Sequence, residues 1–189
     1  MGDSFLPKDE PRSYEVNQRE LVYQGAVWDV VRETFDFEGT QLTRDFVDHT
    51  GAVAVVALND NDEVMLIRQY RHAIRSLNWE IPAGLLDVPG EGPLVCGKRE
   101  LAEEADLEAT EWTFLTTLNT TPGGSNEFIT IYLARGLKPL EHDYVREGEE
   151  AKLEKRFVPF VDAVKAAKTG LIRNQIAVTG LLVAHAHRS

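Results

Sequence analysis

The residues 52–58 are apolar without interruption and follow directly on Gly51. This run of seven residues is far too short for a helix that spans a bilayer, which needs about 20. A short valine-rich run bounded by a glycine and a polar turn is typical of a strand buried on both faces of a sheet. Such a strand needs a packed layer on each side, so we expect a layered fold in which helices cover a sheet.

The remaining elements are predicted from local patterns. The residues Asn-Asp-Asn-Asp at 59–62 form a tight turn that predicts a hairpin between the buried strand and the next strand. Pro93 opens the clearest helix, because a proline at the first helical position gives up no hydrogen bond. The element order predicts an α/β fold of the layered α+β kind, with a mixed β-sheet sandwiched between helices. Strands are predicted at 20–23, 26–37, 41–49, 63–70, 113–119, 128–134 and 156–160, and helices at 93–105, 161–169 and 174–187.

The chain is predicted to have two parts. Residues 1–50 carry mostly strand patterns and form an N-terminal β-rich segment. Residues 51–189, about 140 in number, form the main domain and have a common domain size. Within it lies an irregular stretch rich in glutamate at 141–154, which we call the acidic segment.

Charge excludes several classes of partner. The chain has 20 Lys and Arg against 31 Asp and Glu, a net charge of −11, which repels nucleic acid phosphates. The polar N-terminus has no apolar signal region, and no stretch could cross a membrane. We therefore expect a cytoplasmic protein that binds neither nucleic acid nor membrane.

Cys96 is the only cysteine and is interpreted as a small buried residue, with catalysis as the alternative.

The predicted helix 93–105 carries an acidic face. Glu100, Glu103 and Glu104 are spaced i, i+3 and i+4, so they share one arc of the helix, while the apolar residues fall on a roughly opposite arc. One interpretation is a solvated acidic face. The other is a site for a hard divalent cation such as Mg²⁺ or Mn²⁺, which carboxylate oxygens bind well. The Gly/Pro-rich loop that precedes the helix favours the cation site. The apolar arc consists of Leu94, Leu101, Ala102 and Ala105.

The loop and helix together resemble the Nudix box. That pattern is a glycine, five residues, a glutamate, seven residues, then Arg-Glu-apolar-x-Glu-Glu-x-Gly-apolar, and residues 84–107 match it with two departures. Gly84 lies one residue further from Glu91 than the pattern requires, and Asp106 replaces the glycine that ends the helix. Asp tolerates the left-handed conformation that this glycine adopts, so we expect a modest cost. The resemblance implies a Nudix-type fold and metal-dependent hydrolysis.

Further segments resemble the ADP-ribose pyrophosphatase branch of this family. Pro122 lies fifteen residues beyond Leu107, the position of a proline that marks this branch, although a turn proline would look the same. The resemblance implies a hydrolase that cleaves ADP-ribose to AMP and ribose 5-phosphate. The alternatives are another nucleoside diphosphate sugar as substrate, or a sensor that binds ADP-ribose without cleaving it. The resembling segments are Trp79–Gly84, Thr121–Glu127 and Glu147–Ala151.

The resemblance also implies the metal ligands. Glu100 and Glu104 would bind metal directly, together with the backbone carbonyl of Ala83. Glu103 would be a ligand or would hydrogen-bond to one, and Arg99 and Glu91 would pair to brace the loop against the helix.

The catalytic base would come from the acidic segment. The resemblance implies that Glu147 is the base and Glu149 an additional metal ligand. The order of these two could be reversed, and Glu150 is a third candidate. A solvated acidic run is the structural alternative.

Substrate contacts are implied for three further residues. Arg71 would bind the diphosphate, since the guanidinium fork suits phosphate oxygens. Arg44 would reach the adenine side, and Glu127 would contact the distal ribose. Trp28 is either an adenine-stacking residue or a core or interface aromatic. The resemblance further implies a homodimer in which the segment 1–50 packs on the second subunit, so that Arg44 serves the neighbouring site.

Overall fold

The computed structural model describes residues 5–141, 144–146, 148 and 150–188. The chain divides into two compact units. The first comprises Met1–His49 with Gly123–Ser125, and the second comprises Thr50–Pro122 with Asn126–Ser189.

The first unit is a three-stranded antiparallel sheet in the order β1-β2-β3. Glu38 and Gly39 join the last two strands with φ of 50° and 85°, the left-handed values that a tight hairpin turn needs. Residues 123–125 lie beside the third strand, where the N–H of Val47 donates to the carbonyl of Gly124 at 3.0 Å. The strands are β1 (Val16–Tyr23), β2 (Asp29–Phe37) and β3 (Thr40–Asp48).

The second unit contains two sheets. A four-stranded mixed sheet has the order β7-β4-β9-β8, in which β4 and β9 run parallel. A three-stranded antiparallel sheet has the order β10-β5-β6. Short 3₁₀ turns lie at His72–Ile74 and Glu150–Lys152. The strands are β4 (Ala52–Ala57), β5 (Glu63–Arg71), β6 (Ser76–Glu80), β7 (Ala83–Leu85), β8 (Leu107–Asn119), β9 (Phe128–Pro139) and β10 (Glu154–Pro159).

Three helices complete the second unit: α1 (Pro93–Ala105), α2 (Phe160–Lys168) and α3 (Gln175–His187). Every residue of β4 is buried, as the sequence predicts. Because side chains alternate along a strand, Ala54 and Val56 pack in one apolar cluster with residues of α2 and α3, whereas Val55 and Ala57 pack in another with residues of α1. The predicted layered α/β fold is confirmed. Among the described residues, no helix is long and apolar enough to cross a membrane.

The predicted hairpin between β4 and β5 is wrong. β4 pairs with β7 along Ala52–Ala54 on one side and with β9 along its whole length on the other, whereas β5 belongs to the second sheet. An isolated antiparallel bridge between Leu58 and Val64, and a hydrogen bond from the N–H of Asn59 to the carbonyl of Glu63 at 3.0 Å, join the ends of the two strands. The turn at 59–62 therefore passes the chain from one sheet to the other.

Candidate active site

Helix α1 begins and ends where the sequence predicts. Pro93 stands at its start, after the extended residue Gly92. Asp106 ends it in the left-handed conformation with φ 56° and ψ 41°, and its N–H donates to the carbonyl of Ala102 at 3.0 Å. Asp106 thus adopts the conformation for which the Nudix pattern has a glycine.

The acidic face of α1 is not fully solvated. Glu100 and Glu104 are only 8% and 5% exposed, and they lie on the buried side of the helix with Leu101 and Ala105. The interpretation as a solvated face is wrong for these two residues, because the helix packs this side against β7 and β4. The predicted apolar arc is also displaced, since Leu94 is 36% exposed.

The two buried carboxylates meet neighbouring residues of β7. The backbone N–H of Ala83 donates to a carboxylate oxygen of Glu104 at 2.8 Å. The carboxylate of Glu100 lies against Gly84, where a Cβ would overlap with it. Gly84 is therefore required by the close approach of a side chain rather than by its own backbone conformation. Because Glu100 and Glu104 are four residues apart on α1, they lie on neighbouring turns of one helix face.

Arg99 connects the loop to the helix. Its guanidinium donates two hydrogen bonds to Glu91, at 3.0 and 2.9 Å, which confirms the predicted pair. This fork lowers the pKa of Glu91 below its usual range. The same guanidinium donates to Glu100 at 2.5 Å and to Glu103 at 3.1 Å.

The charges around Arg99 favour a cation. The four carboxylates of Glu91, Glu100, Glu103 and Glu104, with the guanidinium of Arg99, carry a net charge of −3 when ionised. Two of these carboxylates are buried, and a buried excess of negative charge is costly unless it is neutralised. Oxygen donors of this kind fit Mg²⁺ or Mn²⁺. Within the described ranges, no three His, Cys, Asp or Glu side chains form a complete ligand set.

Arg71 lies at the end of β5 and is paired with a residue that the sequence analysis did not select. Its guanidinium donates to both carboxylate oxygens of Glu80, at 2.9 and 2.6 Å, and the amide of Gln69 approaches Glu80 at 3.5 Å. The Glu80 side chain is 4% exposed, whereas that of Arg71 is 48% exposed. Glu80 thus orients a half-exposed guanidinium. The pairing register of β5 and β6 accounts for this contact. Glu80 lies opposite Ile67, whose side chain shares a strand face with those of Gln69 and Arg71.

The other predicted substrate residues lie in different places. Glu127 belongs to the second unit and accepts a hydrogen bond from the hydroxyl of Thr120. Arg44 is exposed on β3 of the first unit, where it donates to the carbonyl of Thr43 at 2.8 Å. Trp28 is 46% exposed and stacks on His49 with ring centroids 5.3 Å apart. Trp28 is therefore not a core residue, and the adenine and interface interpretations remain.

The predicted base, Glu147, and the predicted additional metal ligand, Glu149, lie outside the described residues. The backbone of Glu150 lies in the 3₁₀ turn.

Cys96 is fully buried and donates to the carbonyl of Leu85 at 3.4 Å. Burial raises the pKa of its thiol to about 12, which confirms the prediction of a buried residue and disfavours a nucleophile.

Comparisons with known proteins agree with this geometry. The NUDIX domain family profile matches residues 48–177. A protein of Mycobacterium tuberculosis named ADP-ribose pyrophosphatase is 39% identical over 174 residues, which cover 92% of this chain and 84% of the relative. A Bacillus subtilis protein of the same name is 33% identical over 152 residues, which cover 80% and 81%. The crystal structure of an ADP compounds hydrolase shares the fold, with a TM-score of 0.77 at 22% identity over 95% of this chain and 96% of the other. The chain is therefore a hydrolase of the Nudix family.

Proposed function

We propose that the protein hydrolyses the pyrophosphate bond of ADP-ribose, which yields AMP and ribose 5-phosphate. The observation that supports this most strongly is the burial of Glu100 and Glu104, side by side, against Ala83 and Gly84. The carboxylates of Glu91, Glu100, Glu103 and Glu104 outnumber the single guanidinium of Arg99. Such an excess of partly buried negative charge is costly for a fold alone, but it suits a site that neutralises a diphosphate through bound cations.

The ligands for the cation come from α1 and β7. Nudix hydrolases generally use a divalent metal, and we assign Mg²⁺ or Mn²⁺ here. Glu100, Glu104 and the carbonyl of Ala83 would hold it, with Glu149 as a further ligand and Glu103 as a ligand or hydrogen-bonding partner. When bound, the metal neutralises charge on the non-bridging phosphate oxygens and acidifies water.

The chemical step needs a base and a water molecule. The water oxygen forms a bond to one phosphorus atom while the bond from that phosphorus to the bridging oxygen breaks. We assign Glu147 as the group that takes the proton of the attacking water, with Glu149 and Glu150 as the other candidates in the acidic segment.

Substrate binding is assigned to three side chains. Arg71 is held at the end of β5 by Glu80 and offers donors to the diphosphate. Glu127 would bind the distal ribose, and Arg44 the adenine side of the second subunit's site.

The first unit supports a homodimer. Strand β1 is exposed along its whole length. Among the described residues of the first unit, Val31 on β2 is the only buried apolar residue. A sheet with so little buried surface gains stability when it packs on another subunit. The exposed apolar residues include Leu21, Tyr23, Val27 and Trp28. We place the enzyme in the cytoplasm.

The test is a panel of nucleoside diphosphate sugars. ADP-ribose, ADP-glucose, UDP-glucose and GDP-mannose are each incubated with the protein and Mg²⁺, and nucleoside monophosphate release is measured. We expect the highest kcat/KM for ADP-ribose and no release by Glu104→Gln, with Glu108→Gln as the control because Glu108 is exposed on β8. Preference for another sugar would change the substrate assignment. Tight ADP-ribose binding without any release would favour the sensor.

A further inference from the structure

Asp106 occupies the position at which the Nudix pattern has a glycine, and its carboxylate accepts hydrogen bonds from other residues. Its left-handed backbone conformation, with φ of 56°, is one that glycine adopts more easily than aspartate does. The side chain accepts hydrogen bonds from Arg146 on one oxygen and from Lys155 on the other.

These contacts lie along one stretch of chain. The carbonyl of Asp106 accepts from the N–H of Leu140 at 2.9 Å, directly before the acidic segment 141–154. Its carboxylate contacts Arg146 inside the segment and Lys155 directly after it. Asp106 therefore contacts the residue directly before the segment, one residue within it and the residue directly after it.

The ion pairs are partly shielded from water. The exposed fractions of the side chains are 22% for Arg146, 29% for Lys155 and 38% for Asp106. Partial burial strengthens such pairs relative to fully solvated ones. A carboxylate that accepts from two cations of different segments also restricts both of them.

We propose that Asp106 is a positioning residue that fixes the acidic segment to the end of α1. Asp106 is two residues from Glu104 on the helix that carries the buried carboxylates, and Arg146 directly precedes Glu147 in the sequence. The contact therefore couples the element that holds the cation ligands to the segment that supplies the base. This role rests on the proposed function.

The test compares Asp106→Gly with wild type by two readouts. Glycine keeps the left-handed cap without strain, so the variant should fold, although it loses the two ion pairs of the Asp106 carboxylate. We expect faster amide hydrogen exchange in residues 141–154. We also expect kcat for ADP-ribose to fall about 10- to 100-fold, because misplacing a catalytic group by about 1 Å has an effect of that size. KM should change much less, and Asp106→Asn should retain part of the activity.

The matched control is Asp62→Gly. Asp62 also has a positive φ, of 60°, and also accepts from an arginine, Arg188, at 2.5 Å. Asp62→Gly should leave kcat for ADP-ribose and amide hydrogen exchange in residues 141–154 unchanged. The proposal would be overturned if amide hydrogen exchange in residues 141–154 of Asp106→Gly were as slow as in the wild type. It would also be overturned if that exchange were faster while kcat stayed unchanged. Absence of ADP-ribose hydrolysis by the wild type would instead refute the proposed function, and the exchange comparison would still decide whether Asp106 fixes the segment.

Discussion

Replacing Gly84 with alanine perturbs the candidate site through a single methyl group. A Cβ on Gly84 would overlap with the carboxylate carbon and both oxygens of Glu100. To restore an ordinary contact of about 3.5 Å, that carboxylate would have to retreat by more than about 1 Å. The methyl group therefore displaces the atoms to which we assign cation binding.

The effect on stability should be small. The displaced atoms are the far end of a flexible side chain, and although the contact of Glu100 with Arg99 is disturbed, Arg99 keeps its two hydrogen bonds to Glu91. We expect the free energy of unfolding of Gly84→Ala to fall by about 1 kcal/mol or less. The effect on catalysis should be large, because a displacement of about 1 Å in a catalytic group costs about 100-fold in rate.

The assay is kcat for ADP-ribose hydrolysis at saturating Mg²⁺, together with urea unfolding. Gly97→Ala is the matched control: a Cβ there would lie 3.1 Å from Cγ1 of Val53, in apolar packing rather than against a carboxylate. Gly97→Ala should therefore retain its activity. A Gly84→Ala protein that is stable and fully active would refute the argument that the position of Glu100 matters for the reaction.

Three further predictions follow from individual contacts. Glu80→Gln should raise KM for ADP-ribose more than it lowers kcat, because Arg71 loses its charged partner; unchanged steady-state kinetics would contradict this. Cys96 should resist thiol reagents at pH 8 in the folded protein and react in urea. Since its pKa is raised to about 12 from 9.0, stability should fall as the pH rises above about 9, and Cys96→Ala should remove this pH dependence. Arg99 lowers the pKa of Glu91, so the pair stabilises the fold at pH values above the carboxyl pKa of the unfolded chain, and this stabilisation is lost as the pH falls. Glu91→Gln should therefore make the free energy of unfolding depend less on pH in the acid range. The same acid-range dependence in Glu91→Gln and wild type would exclude this contribution.

Local signals predicted helix α1 well. A proline at its first position and an aspartate that tolerates the left-handed conformation at its end set both bounds. The burial of Glu100 and Glu104 was not predicted, because a helical pattern shows which residues share a face but not which element covers that face. Here β4 and β7, the latter a strand of only three residues, cover it.

Pairings between distant segments were predicted less well. The turn at 59–62 looks like a hairpin turn, but the neighbours of β4 are β7 and β9, and this choice depends on packing across the whole sheet. The contact of Arg71 with Glu80 likewise depends on the register of β5 and β6 across a 3₁₀ turn. The contacts of Asp106 with Arg146 and Lys155 join residues 40 and 49 positions apart, beyond the reach of any local pattern.

The proposed chemistry depends on binding of a divalent cation by the buried carboxylates of α1. Mn²⁺ binding to the protein alone, followed by electron paramagnetic resonance of the free ion, tests this without substrate. We predict that Glu104→Gln weakens Mn²⁺ binding at least about 10-fold relative to wild type, whereas Glu108→Gln, with its exposed side chain, leaves it unchanged. Equal Mn²⁺ affinity of Glu104→Gln and wild type would contradict the assignment of Glu104 as a ligand of the cation.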